Sequence, residues 1–251
     1  MHRPPPRHNP SLVGTVTTLE RMALIYDAVL RPSKTELISA WAEAQPWFAG
    51  DAGTEVTRVA AYRFDDHDDE VGIETLLVRA GDGPLLQVAL TYRGAPLAGA
   101  EAHLIGTMSH SVLGERWVYD ALGDPIYLAA VATAACTGGH EAEQFLARAD
   151  DRDGNNQHAT GRVRLELTAK VLGSGSPGSA VPPVDSPIVT QHGLGVTVAT
   201  TGTLRVVLQR NLGASAAPAG ATVTTDAAPT ATLSGTWADQ PTPRLLVTVE
   251  G

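Results

Sequence analysis

The stretch Val71-Gly72-Ile73-Glu74-Thr75-Leu76-Leu77-Val78-Arg79, followed by Gly81-Asp82-Gly83 and by Leu85-Leu86-Gln87-Val88-Ala89-Leu90-Thr91-Tyr92, decides the fold. Leu86, Val88, Leu90 and Tyr92 alternate with Leu85, Gln87, Ala89 and Thr91, a period of two that belongs to a strand. The glycine-rich triplet between the two runs is a tight hairpin signal. Upstream, Ala60, Tyr62 and Phe64 share one face of a further strand, joined to Val71 by the acidic turn Asp65 to Glu70. Three antiparallel strands in meander order follow.

Before the meander the period is helical. Ser33 and Glu36 are spaced as a capping box, in which hydroxyl and carboxylate each satisfy an orphan backbone N–H. Leu37, Ile38 and Trp41 then recur at helical spacing until Pro46 stops the helix. Beyond the meander, Ala102 to Ser111 reads as a fourth strand and Arg116 to Tyr119 as a fifth. Asp124-Pro125 supplies the N-cap and first residue of an alanine-rich helix that ends at Gly138-Gly139. Glu141 to Ala149 reads as a second short helical piece, and Val163 to Val171 as one half-exposed strand. Gly173 to Pro187 (GSGSPGSAVPPVDSP) has the composition of a linker or long loop. Four strands are expected beyond it, at Gly195 to Thr200, Leu204 to Arg210, Ala231 to Trp237 and Leu245 to Val249. The expected class is α+β, a curved antiparallel sheet packed on helices with additional C-terminal strands.

Composition narrows the function. The 251 residues carry a net charge of −9 with no basic run, so a nucleic-acid backbone would be repelled. Hydrophobic residues make up 43% and charged residues 18%, a globular mix that favours strands and turns over long surface helices. Cys136 is the one cysteine, which excludes an intrachain disulfide and fits a reducing cytosol. Met1 to Pro10 lacks the apolar segment of a signal peptide, and the apolar run Ile126 to Cys136 is too short to span a bilayer. The expectation is a cytoplasmic protein with no membrane and no nucleic-acid partner.

Pro32 to Trp41, with Gln45-Pro46-Trp47-Phe48-Ala49-Gly50, resembles the N-terminal cap domain of actinobacterial maltokinases, where a capped helix ends in a Gln-X-Trp-(Phe/Tyr)-Ala-Gly turn. Gly72 to Leu77, Arg116 to Asp120 and Gly123-Asp124-Pro125 extend the likeness, so that Ser33, Lys34, Glu36, Trp41, Trp47, Asp120 and Asp124 stand at family-motif positions. The resemblance covers residues 22 to 140 well and the remainder weakly. It implies a cystatin-like sheet wrapped on a helix and a place in alpha-glucan, maltose or trehalose metabolism. It divides the chain into a disordered extension (1–21), a cap-like domain (22–172), a linker or loop (173–187) and C-terminal β-hairpins packed on the cap (188–251).

A kinase would need more. Val196 to Leu212 resembles the opening hairpin of the kinase N-lobe in outline, yet Val207 occupies the phosphate-contacting lysine position. After His192 the acidic residues are Asp226, Asp239 and Glu250, and no histidine follows. Neither a catalytic-loop Asp nor a magnesium-binding Asp motif can be built from these. The expectation is a standalone, non-catalytic form without cofactor, whose partner is a kinase or another enzyme of glucan metabolism. The C-terminal strands would fill the place of the missing lobe, leaving a monomer, or leave a long sheet edge open and pair with a second copy or a partner.

Several other clusters admit both a chemical and a structural role. Asp65, Asp66 and Asp68 could collect a divalent cation, or be solvated charge on a turn. Asp151, Asp153 and Asn155 imitate half of a calcium loop, but glycine sits at position four and Arg162 at position twelve. Ser109-His110-Ser111 with Asp120 or Asp124 suggests a hydrolase, although neighbours on a strand face opposite ways and no nucleophile elbow is present. Glu115, Asp120 and Asp124 could pair as glycosidase carboxylates. His103, His110, His140, His158 and His192 lack short zinc-ligand spacing. Trp41, Trp47 and Phe48 could stack on a sugar ring or pack in a core; both tryptophans are expected to be largely buried. The alternatives to a regulatory or scaffolding protein are thus a carbohydrate-binding module and a cryptic hydrolase or metal-dependent enzyme.

Overall fold

A computed structural model describes residues 23–26, 28–147, 163–164, 167–213 and 230–251. The 1–21 extension, the Asp151–Asn155 motif, Arg162, His158 and Asp226 lie outside the described residues.

The central meander forms as the alternation requires. Strands β3 (Val56–Phe64), β4 (Gly72–Ala80) and β5 (Leu85–Arg93) pair antiparallel in sequence order. To them are added β7 (Gly114–Asp120), β6 (Leu104–His110) and the two-residue β2 (Leu30–Arg31), giving the sheet order β2-β6-β7-β5-β4-β3. One face packs on helix α1 (Lys34–Ala42) through Ile38, Ala42, Trp47, Leu76, Val78, Val88 and Leu90. The other face carries Tyr62, Phe64, Ile73, Leu77 and Ala89 into a second core. Because β4 and β5 are covered on both sides, most of their residues are buried, the polar Glu74, Thr75, Gln87 and Thr91 along with the apolar ones. Each side chain buried this way contributes about 1.5–3 kcal/mol.

Helix α1 starts where the capping box says. Glu36 N donates to Ser33 Oγ at 3.2 Å, and Ser33 N donates to the Glu36 carboxylate at 2.7 Å. Helix α2 (Pro125–Thr137) is capped by Asp124 and ends at Gly138, whose φ of 73° is left-handed and is free of strain only for glycine. Its Tyr127, Leu128, Val131, Ala132 and Ala135 are buried against a second sheet.

That second sheet has the order β10-β14-β15-β13-β12-β11, all antiparallel. Its strands are β10 (Lys170–Gly173), β11 (Val189–Gly193), β12 (Val196–Thr201), β13 (Leu204–Gln209), β14 (Thr230–Trp237) and β15 (Gln240–Glu250). It contains the four expected C-terminal strands and adds β11 and β10. Two seams join the sheets. Ala61 N donates to Leu167 O at 2.9 Å and Ala169 N to Ala61 O at 2.8 Å, which covers the β3 edge. Gln87 N donates to Arg210 O at 2.8 Å and Leu212 N to Leu85 O at 2.7 Å, which covers the part of β5 that β7 does not reach.

Two local expectations are corrected. Within Glu141 to Ala149 the structure has a strand, β8 (Gln144–Ala147), parallel to β1 (Ala23–Tyr26) and antiparallel to β9 (Val163–Arg164). A helix this short gains too few hydrogen bonds to offset its nucleation, and the Glu141 carboxylate is held by Val171 N at 2.8 Å and Lys170 Nζ at 2.6 Å. The strand expected from Val163 to Val171 is divided, because Leu167 has φ 65° and breaks the pleat before β10 begins. In the Gly/Ser/Pro-rich stretch, Gly175 N donates to Ala135 O at 2.9 Å and Ser176 N to Cys136 O at 3.1 Å. A Cβ on Gly175 would collide with the Cys136 carbonyl, so glycine permits this approach to the end of α2.

Candidate functional site

The family-motif acids are engaged in structure. Asp120, at the end of β7, accepts two hydrogen bonds from Arg210 Nη2 at 2.7 and 2.6 Å. Arg210 is 0% exposed and Asp120 2% exposed. Arg210 Nε donates to Thr197 Oγ1 at 2.9 Å, and its guanidinium lies 4.7 Å from the centre of the Trp47 ring. A single buried cation thus links the turn after α1, the end of β7 and the second sheet. Beside it, Gln87 accepts from Tyr62 Oη at 3.1 Å and donates to the carbonyls of Gln209 and Leu246 at 2.9 and 3.0 Å. Asp124 accepts from Ile126 N at 3.0 Å as helix cap and from Arg93 Nε and Nη2 at 2.7 Å each. The hydrogen bonds to Asp124 raise the Arg93 pKa.

These bonds dismantle the hydrolase and glycosidase constellations. His110 Nδ1 accepts from Val112 N at 3.2 Å and Leu113 N at 3.1 Å, closing the β6–β7 turn. Partial burial, with Arg116 and Lys34 nearby, lowers the His110 pKa. Ser111 Oγ accepts from Val29 N at 3.0 Å. Ser109 and Glu115 face each other as neighbours in the β6–β7 pairing, both exposed. A triad needs a base with a free ring nitrogen facing the nucleophile and an acid to orient it; here Nδ1 and both aspartates are spent elsewhere.

The acidic turn is likewise structural at its centre. Asp66 is buried and accepts from Glu70 N at 3.1 Å and Val71 N at 3.0 Å, while Asp68 lies exposed beside His67. Asp65 is exposed on the same loop. Among the described residues no group of three or more His, Cys, Asp or Glu is placed to hold a metal ion. His192 contacts Thr197 Oγ1 at 3.1 Å and His140 the Glu141 carbonyl at 2.7 Å. Of the aromatic cluster, Trp47 is 2% exposed, and Trp41 lies 5.5 Å from it, tilted by 57°. Trp41 and Phe48 are half-buried on the core side of α1. Trp47 is therefore a core residue with Arg210 on its ring. Val207 is half-buried on β13.

The cavity that sequence reading missed lies on the α1 face of the first sheet, beyond the N-terminal end of the short helix. It measures about 840 Å³ and is lined by Lys34, Arg58, Arg63, Tyr92, Met108 and Arg116 among others. Behind two of the lining residues Glu74 is buried, ion-paired to Lys34 and hydrogen-bonded by Tyr92 Oη at 2.9 Å. Burial alone would raise the Glu74 pKa, but Lys34 and Arg63 outweigh it and hold it at about 2. A strict period of two puts Arg58 and Arg63, five residues apart, on opposite faces of β3. The register shift between Arg58 and Ala60 inverts the parity, so both line this cavity. No motif signals such a bulge.

No helix among the described residues is long and apolar enough to cross a membrane. No curated protein matches the chain. Residues 41–124 match the family model described as the maltokinase N-terminal cap domain. That span opens at Trp41, runs through the β3–β4–β5 meander and the Asp120–Arg210 clasp, and closes on the α2 cap Asp124. Residues 41–124, which carry strands β3 to β7 of the curved antiparallel sheet, are thus similar to the maltokinase N-terminal cap domain.

Proposed function

We propose that this protein is a non-catalytic, cap-like module that acts as a regulatory or scaffolding partner in alpha-glucan, maltose or trehalose metabolism, engaging a kinase or another enzyme of that metabolism. The observation that carries the reading is the cap-domain match over residues 41–124, in a chain whose second sheet is clasped to the cap by Asp120 and Arg210. In this reading the β12–β13 and β14–β15 hairpins take the place that the N-lobe holds beside the cap of a maltokinase, and the chain works as a monomer. The structural use of Asp120, Asp124 and His110 supports a role without turnover. The single, buried Cys136 supports a reducing cytosol as its compartment.

The test uses the purified chain alone and mixed with a maltokinase or a maltosyltransferase. Alone, it phosphorylates no maltose from ATP. In the mixture it changes the enzyme's kcat/KM or co-elutes with it in light scattering. ATP-dependent turnover by the chain itself, or no effect on and no complex with either enzyme, refutes the reading.

A further inference from the structure

We propose that the cavity beside the N-terminus of α1 is a binding site for a small organic phosphate, a phosphorylated sugar in size, whose phosphate is taken by Arg58, Arg63 and Arg116. This goes beyond the partner-protein reading and does not rest on it.

The charges in this cavity are unequally used. Lys34 and Glu74 satisfy one another, with Tyr92 Oη completing the carboxylate's bonds. Asp66 at the rim is spent on backbone N–H groups. Asp65, Asp69 and Glu70 stand exposed, where water and salt screen them. Neither Arg58 nor Arg63 forms an ion pair among the described residues, Arg63 acting on the Glu74 carboxylate only at a longer distance, and Arg116 gives one Nη2 bond to the Leu113 carbonyl at 2.9 Å. The Nε atoms of Arg63 and Arg116 are both shielded from solvent and without a hydrogen-bond partner among the described residues. A shielded guanidinium donor left unpaired is costly and calls for an acceptor.

Guanidinium forks from two different strands suit a tetrahedral oxyanion, which offers several oxygens in different directions, better than they suit a planar carboxylate. The volume, about 840 Å³, is far larger than a phosphate ion and falls in the range of pockets that hold small organic ligands. Leu30, Leu76 and Met108 provide apolar wall for the body of such a ligand.

Calorimetric titration of the full chain with glucose 6-phosphate, inorganic phosphate and glucose tests the assignment. Glucose 6-phosphate is expected to bind more tightly than inorganic phosphate, with no binding of glucose. Arg63→Gln weakens that binding by about tenfold or more, the loss of one charge-assisted fork. Arg58 is exposed, so Arg58→Gln reports on the same site without risk to folding. No binding of glucose 6-phosphate in the millimolar range, or binding undiminished in both variants, overturns the site. Equal affinity for inorganic phosphate overturns the organic body of the ligand.

Discussion

Truncating Asp120 to alanine removes the only carboxylate among the described residues that is bonded to Arg210, a residue with 0% exposure. The stranded guanidinium keeps its bond to Thr197 and its place over Trp47, but its charge, shielded from solvent, has no counter-ion among the described residues. Breaking one side of a buried ion pair costs about 3–5 kcal/mol. For a chain of this length each kcal/mol lowers Tm by about 2–4 °C, so Asp120→Ala is expected to melt about 6–20 °C lower. Arg210→Met exposes the logic from the other side, since it leaves a buried carboxylate unpaired. Combining Arg210→Met with Asp120→Ala removes both charges, and a buried pair replaced by neutral groups is often close to neutral in stability. The double variant should therefore lose less than the sum of the two single losses, with a coupling of about 2 kcal/mol or more. Urea unfolding followed by tryptophan fluorescence and far-ultraviolet circular dichroism gives all four corners of the cycle. Losses below about 1 kcal/mol for Asp120→Ala, or strictly additive single variants, would refute the clasp as the tie between cap and second sheet.

Trp47→Ala is expected to cost about 3–5 kcal/mol, as for other emptied core aromatic sites, whereas the half-buried Trp41 should cost about 1–2 kcal/mol; the same urea titrations rank them, and equal losses would contradict the burial. Glu74 is held at a pKa of about 2 against 4.5 for the free side chain. Its depressed value stabilises the fold above about pH 4.5 and that contribution disappears as pH falls towards about 2. Glu74→Gln should flatten this part of the stability–pH curve, and an unchanged acid limb would count against the Lys34–Glu74 pair. Ser33→Ala opens the capping box and should cost about 1 kcal/mol in thermal melts, with Ser33→Asp restoring most of it.

The sequence by itself determined the local elements. The period of two from Ala60 to Tyr92, the Gly81-Asp82-Gly83 turn, the Ser33/Glu36 box and the Asp124-Pro125 start each encode a short-range preference, and each appears at its expected place. That both faces of β4 and β5 are covered does not follow from their alternation and appears only in the two cores of the structure. What the tertiary structure decided is how distant segments meet. Asp120 and Arg210 are 90 residues apart, and either could be a solvated surface charge until the two sheets close around them. The β8 strand owes its form to partners at Ala23–Tyr26 and Val163–Arg164, which supply the hydrogen bonds that its own four residues cannot. The arginine-lined cavity depends on a single register shift in β3, which reverses the face of every residue on one side of it. Alternation in a sequence fixes faces only relative to neighbours. A bulge, a seam or a buried ion pair is set by the free energy of closing the whole fold, and no local pattern carries it.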